Sequence, residues 1–240
     1  MIISTNDLFC KKNITCATSI KSYVTRQRNV KIQKIEHITI CWKIYGINFN
    51  SVQLNFLDLF PIKQPIIIEI GFGDGKLFIE KAINNPHVNF IGIEVYLKGV
   101  LTAIQYAYIN NITNIKLICY DAVEILKYMI PNRAVNIFQI FFPDPWFKTK
   151  HRKRRLINDC FIDLILNKII NKGFLHIITD CPLYSKQIYN TISLYSSFKR
   201  IFSGTVMFPL VKIQKDTKFK KKALFLKKNI FDYKYQFNLK

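Results

Sequence analysis

At 240 residues and 28.3 kDa, with half of its residues hydrophobic, the chain can hold one sizeable core and is expected to be globular. A formal net charge of +21 and a pI near 9.8 call for an acidic partner, either a nucleic acid or an anionic membrane. Dispersed cysteines and histidines, no signal-peptide core after Met1 and no apolar run near the roughly 18 residues of a membrane span predict a soluble, cytosolic protein without metal or disulfides.

Residues 1–60 are expected to form a basic N-terminal arm with a packing helix, ahead of a main domain over residues 61–240. The first twenty residues are polar and expected to be loose. From Ile20 to Arg28, Tyr23 is mixed with Lys21, Arg26 and Arg28, an arm able to touch a cofactor or RNA. Ile32, Ile35, Ile38 and Trp42 then recur at near-helical spacing, the pattern of an amphipathic helix covering a sheet.

Pro65 precedes the first strong strand, Ile66 to Gly71, and the loop after it reads EIGFGDGK, with glycines at 71, 73 and 75. Glycines there permit positive φ and let the backbone come close to a ligand. The dinucleotide fingerprint G-x-G-x-x-G wants its third glycine at position 76, where Lys76 stands. Glu69, two residues before the first glycine, places a carboxylate that would repel a pyrophosphate and attract a sulfonium. The loop therefore points away from NAD and towards S-adenosylmethionine.

The second strand, Asn89 to Val95, carries Glu94 at its end, 19 residues after Gly75, where a carboxylate can take ribose hydroxyls. The third, Ile115 to Tyr120, ends at Asp121. Asp121 with Glu124 also reads as a capping box, and the two roles are compatible. The fourth, Val135 to Phe142, is stopped by Pro143 and Pro145 with Asp144 between them. Trp146 and Phe147 follow, then Lys148, Lys150, His151, Arg152, Lys153, Arg154 and Arg155. An aromatic pair before a basic cluster suits a flat base on a phosphate chain, although packing of the aromatics against the core is the simpler expectation.

A helix over Leu156 to Ile170 leads into a strand that starts at Gly173 and ends at Asp180. Asp180 is either a substrate ligand or, ahead of Cys181 and Pro182, a helix cap. Cys119 and Cys160 lie within or beside apolar runs and are expected to pack as small hydrophobes. Gly204 to Ile213 reads as a further strand, and the polar–aromatic ending as a last pair of strands. Net charge is +5 over residues 1–60, zero over 61–145 and +16 over 146–240. The abundance of Ile, Asn and Lys fits an AT-rich coding sequence, yet such a bias would not leave the middle neutral, so part of the basicity is assigned to function.

With EIGFGDG, GIEV, DAVE, FFPDPWFKTKHRKRR, Asp180 and TKF at 217–219 in one order, the chain resembles the bacterial tRNA (guanine-N7)-methyltransferases from about Ser22 to Asp232. The resemblance implies an α/β, class I methyltransferase Rossmann-like fold: a seven-stranded, mostly parallel sheet with helices on both faces. It implies an S-adenosyl-L-methionine-dependent domain over residues 61–240 that methylates N7 of a guanine in the variable loop of tRNA. It carries Glu69, Gly71, Gly73, Glu94, Asp121 and Asp144 over as cofactor-site residues, and Asp144 as the catalytic residue. Lys148, Asp180, Thr217 and Lys218 become substrate contacts. One departure stands out: the family's T-x-x-E tail has Lys220 in place of its glutamate, and a lysine cannot accept the bonds a carboxylate would. Either Asp180 alone reads the guanine's donor edge or recognition has loosened, which leaves a non-catalytic RNA-binding relative as an alternative. A nicotinamide oxidoreductase is disfavoured by Lys76 and Glu69.

Overall fold

Isoleucine-rich runs build the centre of the molecule, because β-branched side chains pack well on a pleated, half-buried surface. The computed structural model describes residues 20–23, 35–201, 225–226 and 229–239. Within them, β1 (Gly46–Ile47), β2 (Ile66–Ile70), β3 (Asn89–Ile93), β4 (Ile115–Ile118), β5 (Val135–Phe141), β6 (Ile169–Thr179), β7 (Phe198–Ile201) and β8 (Phe231–Phe237) form one sheet. Its order is β1-β4-β3-β2-β5-β6-β8-β7. Neighbours run parallel except where β8 lies against β6 and β7.

The described sheet has eight strands where seven were expected. The extra one is β1, whose Gly46 and Ile47 pair with Leu117 and Ile118 at the edge. Two residues are too few to show a period-2 pattern in sequence. The stretch from Gly204 to Ile213, expected as a strand, lies outside the described residues.

The helices are α1 (Ile35–Tyr45), α2 (Phe56–Leu59), α3 (Lys76–Ile83), α4 (Leu97–Ile109), α5 (Ala122–Tyr128), α6 (Asp159–Lys168) and α7 (Pro182–Ser193), with a 3-10 helix at Thr149–Arg154. Strand parity sorts the core into two layers. Ile66, Ile68, Ile70, Phe138 and Ile140 pack with Ile125 of α5, Phe161 and Ile165 of α6, and Tyr184 and Ile188 of α7. Ile67, Phe90, Leu117 and Ile137 pack on the other face with Trp42 of α1, Phe78 of α3 and Ala103 and Ile104 of α4. Strands covered on both faces read as continuous apolar runs, with no polar alternation. Ile38 and Trp42 of α1 are buried against the sheet, while Ile32, expected on the same helix face, lies outside the described residues.

Two local expectations differ. β6 starts at Ile169, directly on the end of α6, and Gly173 lies inside it. Where β5 advances from Val135 to Ile137, β6 advances from Ile169 to Phe174, a bulge that turns on Lys172 at φ +62°. A Cβ on Gly173 would stand 2.7 Å from Ile169 Cγ1, so the bulge closes around a missing side chain. Cys160 is exposed on α6, because Phe161, Ile162 and Ile165 turn that helix's apolar face inward.

From β2 the chain winds outward through β3 to β4, then crosses back to β5 and on to β6. The direction of winding across the sheet therefore reverses between the parallel strands β2 and β5, whose carboxyl ends diverge into separate loops. That crevice is where open α/β sheets bind ligands.

Candidate active site

A cavity of about 240 Å³ opens at this switch point. Ile70, Ile93 and Ile140 give it an apolar side. Gly71 and Gly73 follow β2, Glu94 and Val95 follow β3, Tyr120 and Ala122 flank the turn after β4, and Phe142, Pro143 and Asp144 follow β5. Ser22 and Tyr23 line another wall; Arg26 and Arg28, expected on the same arm, lie outside the described residues.

The glycine loop has the backbone its sequence suggested. Gly71 and Gly73 stand at φ +79° and +66°, and a Cβ on either would meet nothing within 4 Å. Both present bare backbone to open space. Gly75 is different: it starts α3 at φ +75°, and a Cβ there would sit 2.4 Å from Ala103 Cβ of α4. It seats two helices against each other and does not line the cavity.

The four strand-end acids separate into distinct roles. Glu94 is buried at the cavity wall. One oxygen accepts from Gly73 N at 2.8 Å and the other from Val95 N at 2.7 Å and Tyr96 N at 2.9 Å. Burial raises its pKa despite these three donors, and the charge of Asp144 raises it further. Asp144 stands at the cavity mouth, open to solvent on one side, and desolvation raises its pKa as well.

Glu69 departs from the reading that set it beneath the loop to attract a sulfonium. It lies inside β2 with odd-face parity, on the α3 side of the sheet, and is not among the cavity-lining residues. Its carboxylate is paired with the Lys81 ammonium, which also donates to Gln139 Oε1 and stands 5.0 Å over the Phe141 ring. The pair is buried and already neutralised. Asp121 caps α5, its carboxylate accepting from Val123 N at 2.8 Å and Glu124 N at 3.3 Å. Its neighbours Tyr120 and Ala122 line the cavity, and Asp121 itself is not among the lining residues.

The loop that carries Asp144 is held under strain. Phe142 and Trp146, both bulky, adopt φ +51° and +44° on either side of Pro143-Asp144-Pro145. Such residues cost on the order of 1–3 kcal/mol each and persist where the surroundings over-determine them. Arg155 is one of those surroundings. It was expected to hold phosphate, but it is 3% exposed. Its Nε donates to Pro145 O at 2.8 Å and its Nη1 to Gln187 Oε1 at 2.7 Å, while its guanidinium stacks on Tyr184 at 4.8 Å. This buried cation ties the Asp144 loop to α7, and no signal in the run RKRR distinguishes it from its neighbours.

Lys148, Lys150, Arg152 and Lys153 are exposed on or beside the 3-10 helix, with His151 and Arg154 half-buried. Phe147 was expected to pack against the core, yet it is 67% exposed next to Lys148. Trp146 is half-buried and hydrogen-bonded to Ser22 O at 2.9 Å. Asp180 follows β6 and is not the cap of α7; that position is Cys181, with Pro182 behind it. Thr217, Lys218 and Lys220 lie outside the described residues.

A family model described as "Putative methyltransferase" matches residues 63–233. The tRNA (guanine-N(7)-)-methyltransferase of Buchnera aphidicola subsp. Acyrthosiphon pisum (strain 5A) is 39% identical over 219 residues, 90% of this chain and 91% of that relative. The chain belongs to the tRNA (guanine-N(7)-)-methyltransferase family. Another member, from Aliivibrio fischeri (strain MJ11), is 34% identical over 91% of this chain and 92% of its own length.

Among solved structures, the 16S rRNA methyltransferase KamB superposes with a TM-score of 0.55 at 9% identity, over 77% of this chain and 93% of KamB. The aminoglycoside resistance methyltransferase NpmB1 superposes at 0.50 with 12% identity, over 80% and 97%. At these identities the likeness is one of fold, the class I methyltransferase sheet. Among the described residues no helix is long and apolar enough to cross a membrane, and no group of three His, Cys, Asp or Glu could hold a metal ion.

S-adenosyl-L-methionine, the methyl donor of this family member, fits the residues present. Bare backbone at Gly71 and Gly73 permits close approach, the isoleucine side would pack against a flat base, and the carboxylates of Glu94 and Asp144 would suit the donor's hydroxyls and its positive charge.

Proposed function

We propose that this chain transfers the methyl group of S-adenosyl-L-methionine to N7 of a guanine in the variable loop of tRNA, in the cytoplasm. The observation that carries this reading is the convergence of Glu94 and Asp144 on one cavity, directly ahead of an exposed basic helix. The similarity to named tRNA (guanine-N(7)-)-methyltransferases supports the choice of substrate. Residues 61–240 act as the methyltransferase domain, with residues 1–60 as arm and packing helix.

S-adenosyl-L-methionine supplies an electrophilic methyl group on a sulfonium. Glu94 Oε2 accepts one backbone bond and keeps capacity for a second, which suits a ribose hydroxyl. Guanine N7 has a free lone pair, so no proton has to be removed before transfer. Catalysis by this chain is therefore positioning and electrostatics, with no general base. Asp144, at the mouth, offsets the positive charge that develops on the purine ring. Lys148, Lys150, Arg152, Lys153 and Arg154 hold phosphates, which positions the RNA without reading its sequence. Asp180, with Lys148, Thr217 and Lys218, completes the substrate contacts that family likeness assigns.

Incubation with methyl-labelled S-adenosylmethionine and bulk tRNA, followed by nucleoside analysis, tests the reading. Label in 7-methylguanosine is expected. Label in another nucleoside, or tRNA bound and left unmodified, would sink it and return the non-catalytic alternative.

A further inference from the structure

Trp146 touches three parts of the molecule that the proposed reaction must bring together. Its backbone lies two residues past Asp144, in the strained conformation described above. Its indole N–H donates to the Ser22 carbonyl at 2.9 Å, across 124 residues of sequence. Ser22 and Tyr23 line the cavity beside Asp144. Its ring face receives the Arg154 guanidinium at 5.1 Å, and the His151 ring stands nearly perpendicular to it at 5.8 Å. One rigid side chain therefore binds the arm that walls the cavity through its N–H, and the basic helix through its π face.

We propose that Trp146 is a positioning residue that couples the two binding events: RNA held at the basic helix tightens the cofactor cavity, and a filled cavity tightens RNA. The inference rests on reading the cavity as the S-adenosylmethionine site and the basic helix as the RNA surface. The physical route is shared ordering. A phosphate that fixes Arg154 and His151 also fixes the ring they flank, and a fixed ring keeps its N–H on Ser22. The second ligand then meets an indole already in place. Linkage requires the effect to be reciprocal, with the same factor in both directions.

The test uses the full chain. S-adenosylhomocysteine is titrated calorimetrically with and without saturating bulk tRNA, and tRNA binding is measured by fluorescence anisotropy with and without S-adenosylhomocysteine. Each ligand should tighten the other by one common factor, about fivefold or more. Trp146→Phe keeps an aromatic face for Arg154 and removes the N–H. It should weaken S-adenosylhomocysteine about fivefold in the absence of RNA, leave tRNA alone within about twofold, and bring the common factor to about one. If circular dichroism shows that this variant does not fold, Arg154→Gln carries the test. It leaves the Ser22 bond in place, so S-adenosylhomocysteine alone should bind within about twofold of wild type while the common factor again falls to about one.

Wild type that binds both ligands without coupling overturns this inference alone, as does a common factor unchanged in the variants. Wild type that binds no S-adenosylhomocysteine overturns the cofactor reading, and this inference with it.

Discussion

Glu94 and Asp144 face one cavity but are held differently. Three backbone N–H groups grip Glu94, so its charge also organises the glycine loop through Gly73. Among the described residues no backbone N–H grips Asp144 in this way, and desolvation shifts its pKa upward. Both folded-state values are raised, so between the ordinary carboxylate value and the raised one the folded protein holds more protons than the unfolded chain. Stability therefore falls as pH rises through that window and stays lower above it. The ionised form of Asp144 is the one a cationic donor favours, so affinity for the methyl donor rises as pH climbs through the Asp144 window. Asp144→Asn should raise the melting temperature of the ligand-free protein at pH 7 by about 1–2 °C, the small figure reflecting solvent at the cavity mouth. The same substitution should lower turnover about a hundredfold while S-adenosylhomocysteine, which carries no sulfonium, binds as before. Near-normal turnover would remove the charge-stabilising role.

At the scale of elements, the cavity depends on how closely α4 abuts the loop after β2. A Cβ on Gly99, in the first turn of α4, would stand 1.9 Å from Gly73 O, so the helix is seated directly on the loop backbone. Neither partner can give way easily. Gly73 N is engaged by Glu94, and Gly75 is pressed on Ala103 of the same helix. Gly99→Ala should therefore displace the loop, cost about 1–3 kcal/mol of stability and weaken S-adenosylhomocysteine at least about tenfold, as read by thermal melts and calorimetry. Lys98→Ala, one residue earlier and exposed, should change neither. Cofactor affinity unchanged in Gly99→Ala would show that the contact does not constrain the site. The spacing of glycines 71, 73 and 75 was legible in sequence, but which of them faces a ligand and which faces a helix was not. Gly99 carried no signal at all, since its neighbour is 26 residues away in the chain.

For the molecule as a whole, the charge divides as its sequence distribution suggested, with the neutral stretch 61–145 building most of the sheet centre and the basic cluster opening beyond β5. Binding of tRNA should weaken about a hundredfold between 50 and 200 mM salt, as expected for roughly four or five phosphate contacts. Arg152→Gln should reduce the logarithmic salt slope by about one. Arg155→Gln should lower the melting temperature and leave that slope alone, because Arg155 is spent on Pro145, Gln187 and Tyr184. Weak salt dependence in wild type would assign the basic helix to coding bias.

Sequence alone determined the class of fold, the glycine turn, the proline-bounded Asp144 loop and the basic stretch after it. These are local features: apolar runs, residues with special φ, breaks and charge counts depend on neighbours a few positions away. Only the tertiary structure sorted residues that look alike in the chain. Glu69 and Glu94 both close on strands rich in isoleucine, yet one residue of strand parity turns Glu69 towards Lys81, while Glu94 stands just past its strand and faces the cavity. Arg154 and Arg155 are adjacent, yet one lies over Trp146 and the other is buried on Tyr184. Which partner a side chain meets is set by register and by the crossing of distant elements, and those pairings are fixed only when the whole sheet closes its two layers.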